Sequence, residues 1–209
     1  MSENAARKVG SELWADDKLV EFLKPGKEQE SKLINQFMQM KPGSSNLLIV
    51  SPHEYAPTPA AAISYFTRQN MPGVYVCVNR PYMDVIKSIG TPPSNIHFID
   101  VVTSLTGKDP IPLPNVHYLD SPLALVEMNV TISEQLQKIA SNQKFLFLDS
   151  ISTLLVYNSS QAVEKFCHTV ISKNRDANTI IILLAVNSEE NKNTLGSLHQ
   201  FVDQSYSIT

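Results

Sequence analysis

The chain reads as an α/β protein: a three-layer α/β/α sandwich on a mainly parallel central sheet, with an N-terminal helical extension. Three observations predict this. First, the runs 47–50, 145–148 and 180–186 are apolar throughout, as strands covered on both faces are. Second, segments of helical period separate these runs, the alternation that builds a parallel sheet. Third, the stretch before residue 46 breaks the alternation. The 209 residues suffice for one sizeable core with an appended piece, and we divide them at 1–45 and 46–209.

Residues 11–24 carry Leu13, Trp14, Leu19, Val20, Phe22 and Leu23 with charges between them, the pattern of an amphipathic helix. A second helical run, 28–40, holds Leu33, Ile34, Phe37, Met38 and Met40. Each run closes at a Lys-Pro-Gly, Lys24-Pro25-Gly26 and Lys41-Pro42-Gly43. Proline cannot continue a helix and glycine permits the turn. These helices either cover their own core or dock on another subunit or partner.

From Asn46 the alternation begins. A strand is expected over 47–50. Thr58 is placed to cap a helix whose first residue is Pro59, where a proline loses nothing, and Ala60-Ala61-Ala62 lets that helix approach a sheet closely. Further strands are expected over 73–78, 96–102, 116–119, 144–149, 179–186 and 205–208. Helices are expected over 81–89, 124–140, 161–173 and 193–201. Residues 105–115 hold Gly107, Pro110, Pro112 and Pro114 and read as an exposed loop. Functional groups of such a sheet belong at the carboxyl ends of its strands.

Composition narrows the function. The net charge is −3 and the basic residues are scattered, so no nucleic-acid surface is evident. Cys77 and Cys167 have no metal-ligand spacing and read as reduced, packed thiols of a cytoplasmic protein. No segment has the length of a signal peptide or a membrane span.

The first strand is followed by Ser51-Pro52-His53-Glu54-Tyr55-Ala56-Pro57-Thr58, where a phosphate-binding loop of the form G-x-x-x-x-G-K-[ST] would lie. The spacing fits, but the residues do not. Ser51 and Ala56 stand at the glycine positions and Pro57 at the lysine; only Thr58 agrees. Pro52 and Pro57 also remove N–H donors that phosphates need. The second motif is Phe145-Leu146-Phe147-Leu148-Asp149, an apolar strand ending in the carboxylate that, in phosphate-loop enzymes, holds Mg²⁺ through water.

With these motifs in that order, the chain resembles the RecA-like ATPases of the KaiC type, particularly their small single-domain archaeal relatives, from about residue 42 to 208. The resemblance rests on Pro42-Gly43-Ser44, Val74-Tyr75-Val76 with Asn79-Arg80-Pro81-Tyr82, Phe98-Ile99-Asp100, Gln200-Phe201-Val202-Asp203 and above all Asp149-Ser150-Ile151-Ser152-Thr153-Leu154-Leu155. It implies a RecA-like phosphate-loop fold with a degenerate Walker A loop. Working members carry a catalytic Glu just after the second strand; here Asn79-Arg80-Pro81 follows, with no carboxylate before Asp84.

The expectation is therefore a pseudo-ATPase with no catalytic residues, no metal and no cofactor. It would act in protein interaction or signal transduction, its partner being another protein: itself or an active KaiC-like paralogue. The alternative is a weak binder of ATP and Mg²⁺ or an ATPase that keeps Thr58, Asp149, Ser51 and Arg80 as a vestigial nucleotide site. The geometry of 51–58 separates the two. An open nest of N–H groups favours binding, whereas Tyr55, Pro57 or His53 filling the space opposes it. A metal or acid–base site from His53, Glu54 and Asp149 is a third reading, weighed against the plainer one of solvated loop residues. Arg80 is expected to form an ion pair with Asp149 or to bind an anion. His97, His117, His168 and His199 are dispersed, and Ser150 and Ser152 lie outside any G-x-S-x-G elbow.

Overall fold

The computed structural model describes residues 30–175 and 178–208. The amphipathic run 11–24 lies outside them. Seven strands form one sheet in the order β4-β3-β2-β5-β6-β1-β7: β1 (Ser45–Val50), β2 (Gly73–Cys77), β3 (Ile96–Asp100), β4 (Val116–Tyr118), β5 (Lys144–Asp149), β6 (Thr179–Val186) and β7 (Gln204–Ile208). All neighbouring strands pair in parallel. This places β6 between β1 and β5.

The helices divide between the two faces. Helix α1 (30–39), α3 (Thr58–Arg68) and α4 (Tyr82–Ile89) cover one face, with Leu33, Phe37, Phe66 and Val85 packed on Leu48, Val50, Tyr75 and Phe147. Helices α5 (Leu125–Lys138), α6 (Ile151–Tyr157), α7 (Ser160–Asn174) and α8 (Lys192–Leu198) cover the other, with Met128, Leu154, Phe166 and Leu198 on Leu47, Val76, Leu146 and Leu183. The assignment follows strand parity, because successive side chains leave a strand on opposite faces. Crossovers that move towards β4 thus carry helices on one face, and those that move towards β7 on the other.

Helix α1 is part of the main core. Its Leu33, Phe37 and Met40 at its end are buried, and Phe37 meets Tyr65 and Phe66 with ring centroids 5.6 and 5.8 Å apart. Each such buried side chain stabilises by about 1.5–3 kcal/mol relative to exposure. Phe66 in turn stacks on Phe145 at 4.1 Å. The Phe145 ring lies so close to β2 that a Cβ at Gly73 would come within 2.3 Å of it, which explains the glycine.

Two short helices lie where no helix was expected. Helix α2 (Pro52–Tyr55) occupies the loop after β1, and α6 follows β5 directly. Helix α3 starts at Thr58 rather than Pro59. The Thr58 hydroxyl does not cap it but donates back to the Glu54 carbonyl at 2.6 Å.

Candidate functional site

The carboxyl ends of β1, β6, β5 and β2 lie side by side. The chain leaves β1 and β2 for one helix layer and β6 and β5 for the other, so the crevice between these departures is where an α/β sheet holds its ligands.

Asp149 ends β5 at this point and is fully buried. Its side chain leaves the strand on the same face as Phe145 and Phe147. On that face Tyr75 of β2 stacks over Phe147, ring centroids 5.3 Å apart, and delivers its hydroxyl to Asp149 Oδ2 at 2.6 Å. The other oxygen, Oδ1, accepts a short hydrogen bond from the Tyr55 hydroxyl. Tyr55 is the last residue of α2, so the loop after β1 reaches across to β5 through this ring.

The loop itself is closed on its own backbone. Ser51 caps α2: its carbonyl accepts from the Glu54 and Tyr55 amides at 3.0 and 3.1 Å, and its hydroxyl from the Glu54 amide at 3.3 Å. Pro52 stands at the first helical position, where its missing N–H is no loss. These amides therefore point into a helical turn, and Pro52 and Pro57 have none to offer.

Burial pushes the Asp149 carboxyl above its ordinary value, against the two tyrosine hydroxyls and the nearby Arg80 charge, which act the other way. Burial and the Asp149 charge push both tyrosine hydroxyls up. Both phenols remain protonated donors at neutral pH. Arg80 follows β2 and acts on Asp149 and Tyr55 through its field, yet it makes no ion pair among the described residues; its Nε and Nη2 are buried without partners.

Backbone and side-chain hydrogen bonds fasten the neighbouring strand ends as well. The Val78 and Asn79 amides donate to the Asp149 carbonyl at 2.7 and 3.0 Å, and the Asp149–Ser150 peptide is cis. Ser150 caps α6 by accepting from the Thr153 amide, and Thr153 Oγ1 donates to Asn79 Oδ1 at 3.1 Å. Ser152 Oγ accepts from the Val186 amide at 2.8 Å and from Asn191 Nδ2 at 3.0 Å, joining α6 to the end of β6. Asp100, at the end of β3, accepts from the Tyr82, Val102 and Thr103 amides and from the Thr103 hydroxyl. Every one of these serines and carboxylates has structural work at hydrogen-bond distance.

Of the residues singled out from the sequence, the structure joins Asp149 to Tyr55 and leaves Arg80 beside them. Ser51 and Thr58 turn their hydroxyls to the local backbone. His53 is exposed and Glu54 buried, and among the described residues no group of three or more His, Cys, Asp or Glu could hold a metal ion. His97 bonds Gln135 and His199 bonds Ser205. No described helix is long and apolar enough to cross a membrane. The partner that the sequence did not reveal is Tyr75. Its signal was the single polar-tipped ring in the run Gly73-Val74-Tyr75-Val76-Cys77, on the same strand parity as the site.

Residues 44–205 match DUF7504, a family of unknown function, and the chain belongs to that family. No curated protein sequence matches it. Among solved structures, an uncharacterized protein of Pyrococcus horikoshii, PH0321, in complex with an unknown peptide, superposes with a TM-score of 0.63 at 13% identity, over 85% of this chain and 82% of that one. The KaiC-like protein PH0186 of the same hyperthermophilic archaeon superposes with a TM-score of 0.52 at 12% identity, over 70% of this chain and 62% of that one. The fold is thus that of the RecA-like and KaiC-like α/β domains.

Proposed function

We propose that this member of DUF7504 is a RecA-like domain whose nucleotide site has been given over to structure, and that it serves as a protein-interaction or regulatory module. The α/β domain of 46–209 takes helix α1 into its core, and the part of the extension before α1 contributes to assembly. The observation that carries this reading is the Tyr55 hydroxyl on Asp149. A phosphate loop offers inward N–H groups and leaves its strand-end Asp free for hydrated Mg²⁺. Here a tyrosine from that loop occupies one carboxylate oxygen and Tyr75 the other. The Glu54 and Tyr55 amides are spent in α2, and neither a lysine nor a glutamate stands where hydrolysis needs them. The same features support reading the loop as a degenerate Walker A without catalytic residues. The neighbour that holds a peptide makes protein partners a natural class to test for this fold.

One observation favours the alternative of weak ATP and Mg²⁺ binding through Ser51, Thr58, Arg80 and Asp149: the unpartnered guanidinium atoms of Arg80 would suit an anion. A ligand that binds only the folded state raises its stability by mass action. We therefore expect neither hydrolysis above background nor a rise in the unfolding midpoint in millimolar Mg²⁺–ATP. Turnover that disappears in Asp149→Ala would overturn the proposal.

A further inference from the structure

An apolar groove between α5 and α7 is left open by the described part of the chain. Leu125, Asn129, Ala162 and Phe166 line it. Val126 is 81% exposed and Val130, one turn further along α5, 46%. Leu123 (62%) and, at the end of α6, Val156 (77%) are exposed apolar side chains near the corner where Asn158 Nδ2 donates to the Pro122 carbonyl at 3.1 Å. Contiguous apolar surface of this kind marks an interaction site. Within the groove, Asn129 is 5% exposed and its Oδ1 has no hydrogen-bond partner among the described residues, a cost that a donor from an occupant would relieve. The α7 side of the groove carries Lys165 and Lys173.

We infer that this groove takes the amphipathic segment 11–24 of a second copy of this chain. The segment offers Leu13, Trp14, Leu19, Val20, Phe22 and Leu23 as apolar anchors. It carries four acidic residues, Glu12, Asp16, Asp17 and Glu21, against two lysines, Lys18 and Lys24, a net acidic charge that complements the lysines beside the groove. Trp14 is the one tryptophan of the sequence and supplies an indole N–H, a donor with no acceptor function, of the kind Asn129 Oδ1 lacks. Reach decides that the segment comes from a second copy. The described chain begins at residue 30 on α1, which lies on the opposite face of the sheet from α5 and α7. From residue 24 to residue 30 the chain takes six steps and spans at most about 22 Å. Passing from one helix layer to the other covers two interlayer spacings of about 10 Å each, before the detour round the sheet edge. The inference deepens the assembly half of the proposed function and does not depend on the closed strand end, so the two can fail separately.

The test is photo-crosslinking of the full chain with a benzophenone amino acid at position 19, in an equal mixture of ¹⁴N- and ¹⁵N-labelled protein. Crosslinks to α5 or α7 in mixed-isotope pairs are expected. Val126→Asp should weaken self-association by about tenfold or more, from the size of one lost apolar anchor. Lys165→Glu with Lys173→Glu should weaken it too, and Asp16→Lys with Asp17→Lys should restore it. Because Val126 and both lysines are surface residues, circular dichroism should report folded variants. Crosslinks to α3 or α4 within one chain, or none to α5 and α7, would overturn the inference.

Discussion

Asp149 concentrates the chemistry of the molecule in one carboxylate. Taking it out of water disfavours the charged form, and that effect exceeds the help of two tyrosine donors and Arg80. Its folded-state value is raised, so its contribution to stability is full below the unfolded value, about 4, and is lost as pH rises through the folded value. Asp203 has the opposite sign. The Ser45 amide, the Ser45 hydroxyl and Arg175 hold it low, so its stabilisation is present above about pH 4 and is lost as acid protonates it. Asp149→Asn isolates the first effect. Measured by denaturant unfolding from about pH 3 to 8, wild type should lose stability relative to Asp149→Asn as the pH rises from about 4. A difference that stays flat would show that the carboxylate does not titrate in the folded protein as described.

The elements explain how that carboxylate came to be covered. Helix α2 has only four residues, too few to stand alone, and is held by Ser51 at one end and by the Tyr55 hydroxyl at the other. Tyr55→Phe should therefore cost about 1–3 kcal/mol, because one buried carboxylate oxygen loses its donor. Hydrogen exchange of the 53–56 amides should quicken at the same time. Unchanged stability with unchanged protection would mean that α2 is held by packing alone. The sequence already contained this helix. Ser51-Pro52-His53-Glu54 has the Ser-x-x-Glu spacing of a capping box with proline at the first helical position. That signal was hidden because the same residues also fit the spacing of a phosphate loop. The α6 turn was hidden for a similar reason: Ser150 to Leu155 reads as the continuation of a strand-end motif, and Ser150 reveals itself as a cap only through its bond to the Thr153 amide. The strands, in contrast, were legible to within two residues, since a strand buried on both faces is mostly apolar; β1 starts at Ser45 rather than 47 and β3 ends at Asp100 rather than 102. β5 and β6 run over 144–149 and 179–186 as the pattern required.

At the scale of the whole molecule, the sheet order separates what a sequence can display from what it cannot. Alternation and period predicted a parallel sheet between two helix layers, and the parallel pairings with helices on both faces agree. Neither signal says which strands are neighbours. The order places β2 beside β5, in register so that Cys77 faces Asp149 and Tyr75 faces Phe147. Only that pairing brings a β2 tyrosine, 74 positions away in the chain, onto the Asp149 carboxylate. The site was thus half legible: Asp149 and the altered loop could be seen, whereas the partner Tyr75 depended on a non-local register. The same architecture gathers four strand ends side by side, where Tyr55 and Tyr75 bond the Asp149 carboxylate.

With both Asp149 oxygens bonded to tyrosines and the Glu54 and Tyr55 amides turned into α2, these strand ends should not hold a nucleotide. Calorimetric titration of the intact chain with Mg²⁺–ATP tests it most directly, with Asp149→Ala and Thr58→Ala as controls. No binding heat is expected up to millimolar nucleotide in any of the three proteins. Micromolar binding by wild type that is lost in both variants would contradict it.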